Sequence, residues 1–155
     1  MKKLPSITLP IISNDKVTNE NIFNILIDKK VIIFGVPGAF TPTCSEQHFP
    51  SFLKYFNQIK DCGIDDVYCL SVNDPYVMKS WFMTFNNANK IKGISDGNGE
   101  ISKKLNLLVD KSSNFMGFRC TRFSMIVENN TIKYIFLEEP GKYDQTSAEN
   151  IINYI

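Results

Sequence analysis

Apolar residues along this chain fall into short blocks of two rhythms. Val31 to Val36 reads VIIFGV, β-branched and closed by Pro37-Gly38. A run of that kind predicts a strand buried on both faces, as at the centre of an α/β sheet. Val67 to Val72 (VYCLSV) predicts a second. Between them Phe49, Phe52, Leu53 and Phe56 recur at helical spacing, which predicts a helix from Thr43 to about Lys60. Pro50 lies inside it and should kink it, because proline removes one hydrogen bond and crowds the preceding turn. Asn73-Asp74-Pro75 opens another helix, with Asp74 as N-cap and Pro75 in the first helical position. Its apolar stripe is Val77, Trp81, Phe82 and Phe85.

Further along, Lys90 to Ser95 predicts a short strand, then a turn at Asp96-Gly97-Asn98-Gly99 and a helix through Leu105. Phe123 to Val127 and Thr131 to Leu137 flank Glu128-Asn129-Asn130, a composition suited to a tight hairpin. Thr146-x-x-Glu149 forms a capping box for a last helix with Ile151, Ile152 and Ile155 inward. This order of elements indicates an α/β layered fold, a mixed central sheet flanked by helices, in a single domain over residues 1–155. The start, Met-Lys-Lys followed by Leu4 to Ile12, imitates a signal peptide. Pro5 and Pro10 interrupt it and no small-residue cleavage site follows.

Composition narrows the function classes. Hydrophobic residues make up 43% and charged ones 21%, enough for a real core and against disorder. Seventeen basic and sixteen acidic residues leave a net charge of +1, too little for a field that gathers nucleic acid or anionic lipid. No apolar run approaches the roughly eighteen residues of a membrane helix. Four cysteines, Cys44, Cys62, Cys69 and Cys120, are too few for a disulfide scaffold and include no C-x-x-C pair. The single histidine, His48, cannot complete a Cys/His zinc site, so no metal is expected. Free thiols in a reducing compartment are the simplest assumption.

The loop PGAFTPTC, Pro37 to Cys44, joins the first buried strand to an amphipathic helix. Ligands of α/β sheets gather at the carboxyl ends of strands, where this loop falls. Cys44 would occupy the first helical turn, where N–H groups lack partners and the dipole favours negative charge. A free thiol is only about 3% thiolate at pH 7, and making one mostly thiolate takes about 3.4 kcal/mol. A helix terminus contributes at most about 2 kcal/mol, so a second cation is needed. Fifteen lysines but only two arginines, Arg119 and Arg122, are present, both at the hairpin entrance. Arginine in a lysine-biased chain suggests a site that needs the planar charged fork. On these residues alone a buried structural cysteine and strand-end surface ion pairs at Arg119 and Arg122 stay open.

The pattern Pro37, Thr41, Cys44 (P-x-x-x-T-x-x-C), with His48, SVND at Ser71 to Asp74 and RFSMIVE from Arg122, resembles the peroxiredoxins, in particular the type-5 branch with the plant type-II enzymes. The resemblance runs from about Leu4 to the C-terminus. It implies a thioredoxin-like fold with peroxiredoxin additions and thiol-dependent reduction of hydrogen peroxide and alkyl hydroperoxides. Cys44 would be the peroxidatic nucleophile, and Arg122 would hold the thiolate and the charge developing on oxygen. Thr41 would aim its hydroxyl at the same sulfur, and Pro37 would form an apolar wall. His48, one turn after Cys44, would pack under the loop in support. No Asn or Asp follows in a recognisable motif to make it a protease-like base. Phe40, Phe115 and Met116 are candidates for an apolar rim, a subunit contact or plain core.

In many type-5 enzymes a resolving cysteine sits in the C-terminal loop; here EPGKYDQTSAEN has none, and Ser147 or a near neighbour stands there. That departure points to a one-cysteine cycle recycled by an external thiol, glutathione with glutaredoxin or else thioredoxin, without a bound cofactor. Cys69 in VYCLSV reads as a buried strand residue. Cys120, two before Arg122, would face the same side in an extended segment and could modulate the site. Cys62 beside Gly63 reads as a partly exposed thiol without a role. The resemblance also implies a homodimer, and a cytoplasmic, plastid or mitochondrial location if a targeting segment was removed. Two other classes compete: a redox-responsive binding or chaperone protein switched by Cys44, and a thiol–disulfide oxidoreductase, which the missing C-x-x-C disfavours.

Overall fold

A computed structural model describes residues 2–155. Among these residues seven strands, β1 (Thr8–Ser13), β2 (Lys16–Asn21), β3 (Lys30–Val36), β4 (Asp66–Ser71), β5 (Lys92–Ser95), β8 (Phe123–Glu128) and β9 (Thr131–Leu137), form one mixed sheet. Their order across it is β2-β1-β5-β4-β3-β8-β9. A separate ribbon pairs β6 (Leu108–Asp110) with β7 (Phe118–Cys120). β3, β4 and β5 run parallel at the centre, while β1 and β8 lie antiparallel on either side.

Alternation along β3 divides the core between the two faces. Val31 and Ile33 join a cluster with Ile22, Leu26, Ile101 and Leu105, which come from α1 (Ile22–Ile25), α5 (Glu100–Lys104) and the residues just after them. Ile32, Phe34 and Val36 join the other cluster, under α2 (Phe49–Lys54), α3 (Phe56–Asp61), α4 (Pro75–Phe82) and α6 (Ala148–Ile151). A strand covered on both faces reads as an unbroken apolar run, which is why β3 was plain in the sequence. Gly35 is required within it: a Cβ there would lie 2.0 Å from the Phe123 ring across the β3–β8 ladder.

The hairpin at Glu128-Asn129-Asn130 forms as expected, with Asn129 and Asn130 both left-handed. Asp74 caps α4 through Val77 N–H, and Pro75 takes the first position. Several expectations need correction. The stretch from Thr43 to Lys60 is not one kinked helix: a π-helical turn at Cys44–His48 leads into α2, and Tyr55 separates α2 from α3. Pro50 is the cause, because its ring needs room at the carbonyl four residues back, and the widened turn supplies it. Phe49 N–H accordingly reaches back five residues to Cys44 O. In α4 it is Met78 that is buried with Trp81 and Phe82, while Val77 is only half-buried. β5 starts at Lys92, after a 3-10 turn at Ala88–Lys90. The cap of α6 is Ser147, not Thr146, whose hydroxyl is drawn away to Glu138. Thr8–Ser13, for which no strand is expected from the sequence, forms β1, with Leu9, Ile11 and Ile12 buried.

Candidate active site

The register of the sheet sets the site. Phe123 lies opposite Gly35, so Arg122, one residue before β8, comes level with the end of β3, where the Pro37–Thr43 loop departs. A cleft of about 580 Å³ opens there, lined by Pro37, Thr41, Met116, Thr121, Arg122 and Glu138 among others. Cys44 is fully buried and communicates with the cleft through Arg122. Phe40 holds a left-handed backbone (φ 66°), an uncommon conformation for a bulky residue and one found at functional loops. Behind the π turn, Trp81 donates its indole N–H to Ser45 Oγ at 2.9 Å, and Phe49 stacks on Phe85. These aromatics fix the turn that carries Cys44.

Arg122 Nη2 donates to Cys44 Sγ at 3.1 Å, and its Nη1 lies 2.9 Å from His48 Nδ1. His48 Nε2 lies 3.0 Å from Thr146 O and 3.4 Å from Ser124 Oγ. Burial, and after it the Arg122 guanidinium, hold the imidazole well below its ordinary pKa, although the Thr146 carbonyl works the other way. Thr146 is in turn fastened by Glu138, whose Oε2 accepts from Asp144 N (2.7 Å), Thr146 N (3.1 Å) and Thr146 Oγ1 (2.7 Å). Burial alone would raise the Glu138 carboxyl, yet these donors win and hold it below the ordinary carboxylate value. Ser124 fell within the RFSMIVE run and Thr146 within the expected capping box, but neither these two nor Glu138 carried a signal for a place beside His48, because their contacts join elements distant in the chain.

Cys44, Arg122 and His48 are thus brought together, with Thr41 and Pro37 on the cleft wall. Thr41 Oγ1 donates to Gly38 O at 2.6 Å rather than to sulfur, which leaves its lone pairs as the group's free capacity. Among the described residues Arg119 makes no ion pair; it donates to Met116 O (2.9 Å) and Pro37 O (3.4 Å) and braces the loop. Of the rim candidates Met116 lines the cleft, while Phe40 and Phe115 stand exposed. Cys120 does not share a side with Arg122. β7 ends at Cys120, so strand alternation does not carry on to Arg122, and the thiol points at Val36 O, 3.1 Å away, in the opposite core cluster from Cys44. Burial first, and Asp96 second, push the Cys120 thiol far up. Cys69 is fully buried, and burial likewise pushes it well up. Cys62 is exposed at the end of α3. Among the described residues no group of three His, Cys, Asp or Glu side chains is placed to hold a metal ion, and no helix is long and apolar enough to cross a membrane.

The redoxin family model matches residues 2–152. Peroxiredoxin-2D of Arabidopsis thaliana is 40% identical over 139 residues, 90% of this chain and 86% of that one. Among solved structures, the reduced Prx3 of Vibrio vulnificus in complex with hydrogen peroxide superposes with a TM-score of 0.92 at 35% identity, covering 99% of this chain and 96% of that one. The Plasmodium falciparum antioxidant protein, a 1-Cys peroxiredoxin, gives 0.89 at 37%, covering 99% and 95%. With a thiol beneath a guanidinium at the end of a central strand of a thioredoxin-like sheet, and with these relatives, the chain belongs to the peroxiredoxins of the redoxin family, thiol-dependent peroxidases.

Proposed function

We propose that this peroxiredoxin reduces hydrogen peroxide and alkyl hydroperoxides at Cys44 in a one-cysteine cycle completed by glutathione. The observation that carries the reading is the 3.1 Å contact from Arg122 Nη2 to Cys44 Sγ. The Cys44 thiolate attacks the terminal peroxide oxygen. A sulfur–oxygen bond forms, the O–O bond breaks, and an alkoxide or hydroxide leaves to take up a proton. Arg122 steadies the negative charge as it passes from sulfur to oxygen. Thr41, its own hydrogen committed to Gly38 O, accepts from the incoming peroxide, and Pro37 keeps one wall of the cleft apolar.

The sulfenic acid is then attacked by glutathione, forming a mixed disulfide and releasing water. A second glutathione displaces Cys44 and leaves as glutathione disulfide. Supporting this, Cys69 and Cys120 are fully buried, and the loop from Glu138 to Ser147 contains no thiol. The Plasmodium relative's description as a 1-Cys peroxiredoxin points the same way. Exposed Phe40, Phe115 and Phe118, on the active-site loop and the β6–β7 ribbon, support a homodimer through this face. The test is mass spectrometry after one equivalent of peroxide followed by glutathione. A glutathione adduct on Cys44 is expected; a disulfide from Cys44 to Cys69 or Cys120 overturns the one-cysteine cycle.

A further inference from the structure

A sulfenic acid that becomes a mixed disulfide keeps its partner thiol tied to the site, and the tied molecule has to lie somewhere. Cys44 is fully buried, and the space it opens to, past Arg122, is the cleft. At about 580 Å³ the cleft has the size of a small-molecule site, far more room than two peroxide oxygens fill. From its charges we infer that Lys111 anchors a carboxylate of glutathione and sets thiol specificity in the reducing half of the cycle. The inference rests on the glutathione-linked, one-cysteine reading above.

Among the described residues six charged side chains line the cleft, and five of them are already engaged. Arg122 is turned to Cys44 and His48. Glu138 Oε2 accepts from Asp144 and Thr146. Glu139 pairs with Lys142 at 2.7 Å, and Asp110 Oδ1 accepts from Ser112 N at 2.8 Å. Lys111 is the sixth, and among the described residues it pairs with no carboxylate. It is half-buried, so ordering it against an anion costs less than ordering a lysine that moves freely in water. The base of the side chain is fixed as well. Lys111 N donates to Gly117 O at 2.6 Å, and Lys111 O accepts from Asn114 N at 3.0 Å and Met116 N at 3.1 Å, which closes the turn between β6 and β7. Arg119 ties that turn to the active-site loop through Met116 O and Pro37 O. The cation is thereby rooted in register with the loop that leads to Cys44.

Glutathione suits this wall by charge: it carries two carboxylates and one ammonium, whereas hydrogen peroxide and simple alkyl hydroperoxides are neutral and leave Lys111 unpaired. In the step itself the glutathione sulfur bonds to the sulfenic sulfur and the S–O bond breaks. The hydroxide takes up the thiol's proton and leaves as water. The carboxylate keeps its charge throughout, so Lys111 acts on binding of the thiol rather than on the bond exchange.

The experiment oxidises Cys44 with one equivalent of hydrogen peroxide, then mixes the protein with glutathione or with glutathione diethyl ester, whose carboxylates are masked. Adduct formation is followed by quenched-flow mass spectrometry, and the ratio of the two rates is the readout. In Lys111→Gln the preference for glutathione over the ester should fall about tenfold, as for the loss of one hydrogen bond to a charged group. In Lys111→Glu it should fall about a hundredfold, through repulsion of like charges. Lys111→Arg should keep most of the wild-type preference. A ratio in Lys111→Gln and Lys111→Glu equal to that of wild type overturns the inference. So does a loss of rate shared equally by the two thiols, which would make Lys111 a support of its turn and no anchor. A wild-type protein that forms no glutathione adduct on Cys44 would instead overturn the one-cysteine reading itself.

Discussion

Cys44 and Cys120 are both fully buried thiols near the same end of one sheet, each beside an arginine in the sequence or the fold, and they face opposite ways in a hydrogen bond. Cys120 donates to Val36 O at 3.1 Å, which requires that it keep its proton. Cys44 accepts from Arg122 Nη2 at the same distance. The surroundings match: Cys120 has the Asp96 carboxylate in its neighbourhood, and Cys44 has a guanidinium against it. Burial is therefore common to both sites and separates neither. What separates them is the partner's charge and whether it gives or takes a hydrogen.

The sharpest test of that contrast removes the sulfurs in turn. Cys44→Ser should abolish peroxide consumption, whereas Cys120→Ser and Cys69→Ser should retain it in a coupled assay with glutathione. Turnover that survives in the first variant would erase the distinction. Next in size is the donor. Arg122→Lys keeps a positive charge but not the fork that spans Cys44 Sγ and His48 Nδ1. The rate of peroxide reduction should fall about a hundred- to a thousandfold, as when one preorganised donor is removed from an active site. A fall of only a few-fold would mean that charge alone suffices.

How much of this contrast could be read from the chain depends on the distance over which each contact acts. β3, β4, the Asp74 cap and the Asn129-Asn130 hairpin were legible, because each is settled by its own few residues. The scarcity of arginine left Arg122 open, and it was the resemblance of the loop motif and of RFSMIVE to the peroxiredoxins that implied Cys44 and Arg122 as a pair, although 78 positions separate them. The β1–β2 hairpin was missed: its turn at Asn14 and Asp15 is left-handed as in other tight hairpins, but the apolar start was weighed only against a signal peptide, whose stretch Pro5 and Pro10 interrupt, and proline is otherwise uncommon inside a sheet. The ladder explains the exception. Pro10 faces Asn19 of β2, and the pairing of β1 with β5 begins only at Ile11, so less is asked of a residue without an N–H. The opposite error came at Cys120, where alternation was extended past the end of a three-residue strand. The Glu138–Thr146–His48 connection was invisible, since a carboxylate receiving backbone N–H groups from a loop leaves no periodic trace.

That connection supplies a smaller effect, on stability. Glu138 accepts three hydrogen bonds that fasten the C-terminal loop, and its carboxyl is held below its ordinary value of 4.5. A depressed carboxyl contributes stability that is whole above that ordinary value and is lost as pH falls through the folded-state value. Glu138→Gln should cost about 2 kcal/mol at neutral pH, a drop of about 6 °C in Tm. The gap between the two proteins should close as the pH is taken well below 4.5 in thermal melts. A gap that is constant with pH would show that the carboxylate's charge plays no part.

The smallest change belongs to the quiet thiol. Cys120→Ala removes one S–H···O contact to Val36 O and one sulfur from a packed cluster that includes Leu70 and Phe123. A single neutral hydrogen bond is worth about 1 kcal/mol net, so Tm should fall by about 3 °C. Stopped-flow oxidation of Cys44 should be unchanged, because Cys120 lies across the sheet from it and holds its own proton against a carbonyl. If that rate falls with Cys120 gone, the two pockets are coupled through β3, where Val36 both accepts from Cys120 and leads into the loop that carries Cys44. The opposite hydrogen-bond senses of the two thiols would then be parts of one device.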